Sequence, residues 1–190
     1  MGKIIASVFS TLDGVVEAPG SGDVTLKAHR GWSEPYMTQE MGQLIFSQMA
    51  ASDALLLGRV TYDGFAAFWP NVPDDDPFGQ AMNGMTKYVV SNTLQSADWQ
   101  NSHLVTGDVA AEIGKLKAQH AKNLSITGSG TLIQWLLGQG LLDELQIAVC
   151  PVVLGTGKRL FGDGTQKSAL KLADSRTFDT GMVMLTYHPV

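Results

Sequence analysis

Short continuous apolar runs along the chain alternate with stretches whose apolar residues recur every three to four positions. That alternation predicts strands interleaved with helices. Ile4 to Ser10 reads as a first buried strand, followed by a turn at Asp13-Gly14. Residues 17–35 are rich in Gly, Pro and charge and predict a long loop, a length that usually goes with function or disorder. Met37, Met41, Leu44, Ile45 and Met49 then fall on one helical face, so a helix is expected over 36–51. ALLLG, residues 54–58, fits a strand buried on both faces. A short helix is expected from Arg59 through Phe68, and PNVPDDDPFGQ, residues 70–80, reads as a turn-rich loop.

The pattern repeats downstream. KYVVSNT, HLVTG and NLSITG predict strands, while AAEIGKLKAQHA and TLIQWLLGQG predict helices, the first with Lys115 and Lys117 on its polar side. LQIAVCPVVLG predicts a long strand in which Pro151 marks a bulge or an edge. SALKLADSRTFD and MVMLTYHPV flank Thr180-Gly181 and predict a hairpin. Strands and helices alternate to about residue 140, and strands alone follow. The expected fold is therefore α/β, a mostly parallel sheet flanked by helices and finished by antiparallel strands. No linker, repeat or low-complexity segment divides residues 1–190, so one domain is expected.

Composition narrows the function. Hydrophobic residues make up 44% of the 190, enough to fill a core without disulfides or a structural metal. The net charge is −5 and the 13 Lys and Arg are scattered, which argues against nucleic acid as a partner. Cys150 is the single cysteine and reads as a core side chain. No run reaches the ~20 apolar residues of a membrane span, and the N-terminus lacks a signal peptide's apolar stretch, so a cytoplasmic protein is expected. The aspartates 74–76 lack the ligand spacing of a calcium loop and read as solvated.

The sharpest chemical signal is Gly128-Ser129-Gly130-Thr131, which follows the strand NLSI and opens the helix TLIQWLL. A helix start offers unpaired N–H groups and partial positive charge. Glycines let a phosphate approach them, and Ser129 and Thr131 add hydroxyls. An ordinary strand-to-helix turn would also use glycine. The third glycine of a Rossmann fingerprint is missing, since Ile133 stands there. Gly58-Arg59-Val60-Thr61 forms a second helix start, with Arg59 bringing a fixed charge. Ser91-Asn92-Thr93 forms a third polar cluster at a strand end. Each alone is commonly structural; three at the ends of three parallel strands suit a ligand with several phosphates. A serine hydrolase is disfavoured, because Thr127 occupies the place of the first glycine of a GxSxG elbow and the four histidines show no pairing.

ALLLGRVTYDGF, KYVVSNT, NLSITGSGTLIQWLL and LLDELQIAVCPVVLGTGKRLF, in that order, resemble the consecutive motifs of the dihydrofolate reductase-like fold. They are most similar to the reductase domain of bacterial riboflavin biosynthesis and its stand-alone relatives, over a stretch from IIASVFSTLDG almost to the C-terminus. The resemblance implies a mixed sheet with helices on both faces, NADPH as cofactor and a small-molecule substrate. It implies that Gly58, Arg59 and Thr61 meet cofactor phosphates, that Ser91 and Asn92 lie near the adenosine ribose phosphate, and that Gly128, Ser129, Gly130 and Thr131 form the pyrophosphate turn. Ala6 and Val16 would wall the nicotinamide, and Asp13 either braces that loop or forms a plain Asp-Gly turn. Glu40 and Glu34 are the available acids for the substrate, and a plain surface glutamate on the helix is the other reading of Glu40. The HxE and PCxxC ligands of the zinc deaminase that often accompanies this reductase are absent. The expected activity is reduction of a small heterocycle or carbonyl compound of pyrimidine or pterin type. A non-catalytic pyridine-nucleotide-binding module is the alternative. Loop 17–35 would serve as a lid, Trp32 and Trp69 would either line the cavity or pack in the core, and IAVCPVVL is either a homodimer contact or a buried strand.

Overall fold

The computed structural model describes residues 1–20 and 28–190. The middle of the expected lid, residues 21–27, lies outside the described residues. One eight-stranded sheet is built from β1 (Ile4–Thr11), β2 (Ser52–Gly58), β3 (Thr86–Val90), β4 (Ser102–Val105), β5 (Asn123–Thr127), β6 (Glu144–Cys150), β7 (Leu170–Thr177) and β8 (Val183–Pro189). Its order is β4-β3-β2-β5-β1-β6-β8-β7. The first six strands run parallel, and β8 pairs antiparallel with both β6 and β7. This is the mixed, mostly parallel sheet expected from the alternation of elements.

Among the described residues, five α-helices cover the faces: α1 (Gln39–Ala50), α2 (Arg59–Phe68), α3 (Pro77–Gly84), α4 (Val109–Gln119) and α5 (Gly130–Gly138). Ile113 and Leu116 of α4 and Leu132, Ile133 and Leu136 of α5 pack with Ile4, Ala6, Leu56, Leu124 and Ile126 on one face. Met49 of α1, Tyr62 of α2 and Met82 of α3 pack with Leu55, Leu57 and Val89 on the other. Consecutive residues of β2 thus point into two different cores, which is why ALLL carries no polar position. A third cluster joins Trp32 and Met41 to Cys150, Phe178 and Met184.

Two local expectations change. Residues 70–80 are not all loop, because α3 begins at Pro77. Asp76 caps it by accepting from the Phe78 and Gly79 amides, and proline suits the first helical turn. The strand expected over 145–155 ends at Cys150, where Pro151 cannot donate to the ladder. Within IAVCPVVL, β6 lies between β1 and β8 and buries Ala148 and Cys150, while Val153 beyond it is exposed.

Candidate functional site

Parallel strands deliver the following helices to one edge of the sheet. β2 and β5 are neighbours, so the starts of α2 and α5 meet there. The other three α-helices each carry a side-chain N-cap: Thr38 accepts from Met41, Asp76 from Phe78 and Gly79, and Asp108 from Ala111. Among the described residues α2 and α5 have no side-chain cap. Their first-turn amides are left for another acceptor, and each start carries roughly half a positive charge from the helix dipole.

A clasp joins the two starts. The Gly58 amide donates to Ser129 Oγ at 3.0 Å, and the Ser129 amide donates to Thr61 Oγ1 at 3.0 Å. Each hydroxyl oxygen acts here as acceptor, and its own proton can still be donated. Gly128 (φ 69°) and Ser129 (φ 55°) both adopt the left-handed conformation. A Cβ on Gly128 would come within 3.4 Å of the Thr61 methyl, and one on Gly130 within 3.5 Å of Val16. The sequence GSG therefore leaves backbone amides uncovered where side chains would otherwise stand.

Arg59 opens α2, half exposed, and its guanidinium is 3.7 Å from the Asp63 carboxylate one turn on. Ser91 is buried at the end of β3, where Oγ accepts from the Thr93 and Leu94 amides and closes the turn; Asn92 is exposed. Thr131 is exposed on the first turn of α5. Ala6 is fully buried, its side chain in the core below α5, whereas Val16 is half-buried beside Gly130.

The signature GTGKRLF, residues 155–161, brings a feature that site reasoning from the sequence did not assign. Asp13 accepts from Thr11 Oγ1 at 2.6 Å and from the amides of Leu154 and Gly155 at 3.2 and 2.9 Å. The Thr11 hydroxyl, with the Gly155 and Leu154 amides, holds the Asp13 carboxyl down to about 2, against the opposing effect of burial. Of the two readings of Asp13, the brace is the one observed.

A family model described as the RibD C-terminal domain matches residues 2–184. The chain belongs to the RibD C-terminal domain family. It is 32% identical over 189 residues to the uncharacterized protein YyaP of Bacillus subtilis (strain 168), across 98% of this chain and 94% of that one. In fold, this RibD C-terminal domain is similar to a pyrimidine reductase-like protein from Corynebacterium diphtheriae (TM-score 0.65, 15% identity, 100% of this chain and 92% of that one). It is also similar to Enterococcus faecalis dihydrofolate reductase complexed with NADP(H) (TM-score 0.59, 16% identity, 99% and 96%). The dihydrofolate reductase-like fold is thereby shown.

Within the RibD C-terminal domain, the structure brings together Gly58, Thr61, Gly128, Ser129, Gly130 and Val16, while the Arg59 side chain, next to Gly58, pairs with Asp63. Glu40 lies elsewhere, exposed on the first turn of α1 and ion-paired to Arg176 of β7, whose guanidinium sits 5.3 Å above the Phe178 ring. Trp32 is a core residue that donates Nε1–H to the Glu17 carbonyl, and Trp69 packs among Phe65, Phe68 and Phe78. His120 stands between Tyr88 and Asp53, a pairing that the sequence did not reveal. Among the described residues, no helix is long and apolar enough to cross a membrane, and no group of three or more His, Cys, Asp or Glu side chains is placed to hold a metal ion.

Proposed function

We propose that this chain is an NADPH-dependent reductase of a small heterocyclic or carbonyl substrate, of pyrimidine or pterin type. One observation carries the reading: the two α-helices that lack a side-chain cap are the two whose starts are clasped together by Ser129 and Thr61. Two uncapped starts side by side suit a diphosphate better than a single phosphate. Membership of the RibD C-terminal domain family and a fold shared with an NADP(H)-bound dihydrofolate reductase support the same reading.

Bound NADPH would supply the hydride. The chain's part is placement. Gly128 to Thr131 offer amides and hydroxyls to the pyrophosphate, and Arg59 offers a planar, permanently charged donor set to a further phosphate. Ser91 and Asn92 end the strand on the adenosine side. Val16, with the backbone at Ala6, flanks the nicotinamide. Glu40 is the acid proposed for the substrate, and its ion pair with Arg176 would have to open before it could meet one. A second reading, a nucleotide-binding module without turnover, draws on that same ion pair, which occupies the only acid assigned to substrate.

Titration of the purified protein with NADPH and NADH, followed by tryptophan quenching, tests the coenzyme site. Saturation at micromolar NADPH is expected; no saturable change at millimolar NADPH overturns the proposal. Steady NADPH oxidation with dihydrofolate, a pteridine or a pyrimidine ribosylamine then separates reductase from module.

A further inference from the structure

The segment after β6 does not run free. From Leu154 to Leu160 it is stitched to the loop that leaves β1. Asp13 takes the Leu154 and Gly155 amides on its carboxylate, and its own carbonyl accepts from Arg159 Nε at 2.8 Å. The Val16 amide donates to the Lys158 carbonyl, the Leu160 amide to the Gly14 carbonyl, and the Lys158 amide to the Glu17 carboxylate. Val15 and Arg159 form an isolated β-bridge.

This strap also reaches α5. Leu160 is buried, its carbonyl accepts from the Gln134 side chain, and its Cδ1 lies 3.7 Å from where a Gly130 Cβ would stand. Val16 approaches the same point from the β1 side, at 3.5 Å. The loop after β1 and the strap therefore converge on the first residue of α5. Among the described residues, Asp13 is the one side chain that binds both the turn at Thr11 and the strap at Leu154-Gly155. Its side chain is 19% exposed, so its bonds are partly shielded from water.

We propose that Asp13 is a positioning residue: through the strap of residues 154–160 it holds Val16 and Leu160 against the Gly130 start of α5, and so sets one wall of the site. The role rests on the coenzyme reading above. Asp13 touches no ligand in this scheme. It acts by fixing the loop that does.

The test compares the wild-type chain with Asp13→Asn and Asp13→Ala by amide hydrogen exchange and by NADPH titration, both well below the unfolding temperature. Asparagine can still accept from Thr11 and Leu154, but its amide group cannot accept from Gly155. Exchange at Val16, Gly155 and Leu160 should therefore rise in the order Asp, Asn, Ala. Loss of a charge-assisted hydrogen bond predicts an effect on the order of tenfold or more for alanine. NADPH affinity should fall in the same order, while exchange in the α3 and β3 segments stays unchanged. Unaltered exchange at Val16 and Leu160 in Asp13→Ala would overturn the proposal. So would faster exchange with unaltered NADPH affinity, since a merely structural brace would behave that way. If the wild-type chain itself binds no NADPH, it is the coenzyme reading that fails, and the exchange series still decides whether Asp13 fixes the wall.

Discussion

The Ser129 amide donates to Thr61 Oγ1 across 3.0 Å, so the start of α5 is held by the first turn of α2. The bond joins residues 68 positions apart and has its counterpart in the Gly58 amide on Ser129 Oγ. Ser129→Ala removes an acceptor from the part-buried Gly58 amide. An unsatisfied group of that kind costs about 1–3 kcal/mol. Thermal or urea unfolding should show a loss in that range, and NADPH affinity should fall with it. Thr61→Val should do the same from the other side. The double variant should lose less than the sum, because both residues serve one clasp.

Gly128 tests the turn itself. Its φ of 69° and the Thr61 methyl 3.4 Å from a would-be Cβ both oppose a side chain. Gly128→Ala should cost about 1–2 kcal/mol of stability from the left-handed backbone alone. Gly128→Val should cost more, because a β-branched residue tolerates that region least. In both variants the folded protein should bind NADPH more weakly, as the added carbon stands over the turn. Retention of full coenzyme affinity by Gly128→Val would remove the phosphate role.

Arg59 and Asp63 form a half-exposed pair at 3.7 Å, worth no more than about 1 kcal/mol. A phosphate bound by Arg59 must share it with that carboxylate. Asp63→Asn should tighten NADPH by roughly two- to fivefold, the equivalent of an exposed pair. Arg59→Ala should weaken NADPH by roughly 10- to 100-fold, as expected for a lost charge-assisted bond. If Arg59 meets the 2′-phosphate, NADH should hardly respond; equal weakening of both would move Arg59 to the diphosphate.

Lys87 gives a prediction about pH. It is completely buried in β3, donating to the Asn83 and Gln100 carbonyls above the Trp99 ring. Burial lowers its pKa from the ordinary 10.5 to about 8. Between those values the unfolded chain binds more protons than the folded one. The contribution of Lys87 to stability must therefore rise as pH increases from about 8 to 10.5. Urea unfolding at pH 7.5, 9 and 10, compared with Lys87→Met, isolates it. The wild-type minus variant difference should shift in favour of wild type with rising pH; a flat difference would mean that Lys87 stays charged throughout.

Local signals were the readable ones. Gly128 to Thr131 and Gly58 to Thr61 could be recognised because a helix start on a buried strand is written in adjacent residues. The alternation of apolar runs gave the parallel sheet for the same reason. Residues 77–80 read as loop because the prolines and aspartates around them outweigh a valid signal, Asp76 as cap with Pro77 behind it. The strap was invisible for a different cause. Asp13 and Gly155 lie 142 positions apart, and nothing near either residue names the other. Glu40 shows the same limit, since its partner Arg176 is 136 residues away.

β5 lies between β2 and β1, although it is made after both. Until residues 123–127 leave the ribosome, β1 has no neighbour in the sheet, and β2, β3 and β4 can form only a separate set. Inserting β5 joins the halves, and the same few residues carry Gly128 and Ser129 into contact with α2. Joining β1 to the β2-β3-β4 set and bringing the start of α5 onto α2 are thus one topological event. The proposed phosphate cradle of a nascent chain therefore cannot form before β1 has joined the β2-β3-β4 set.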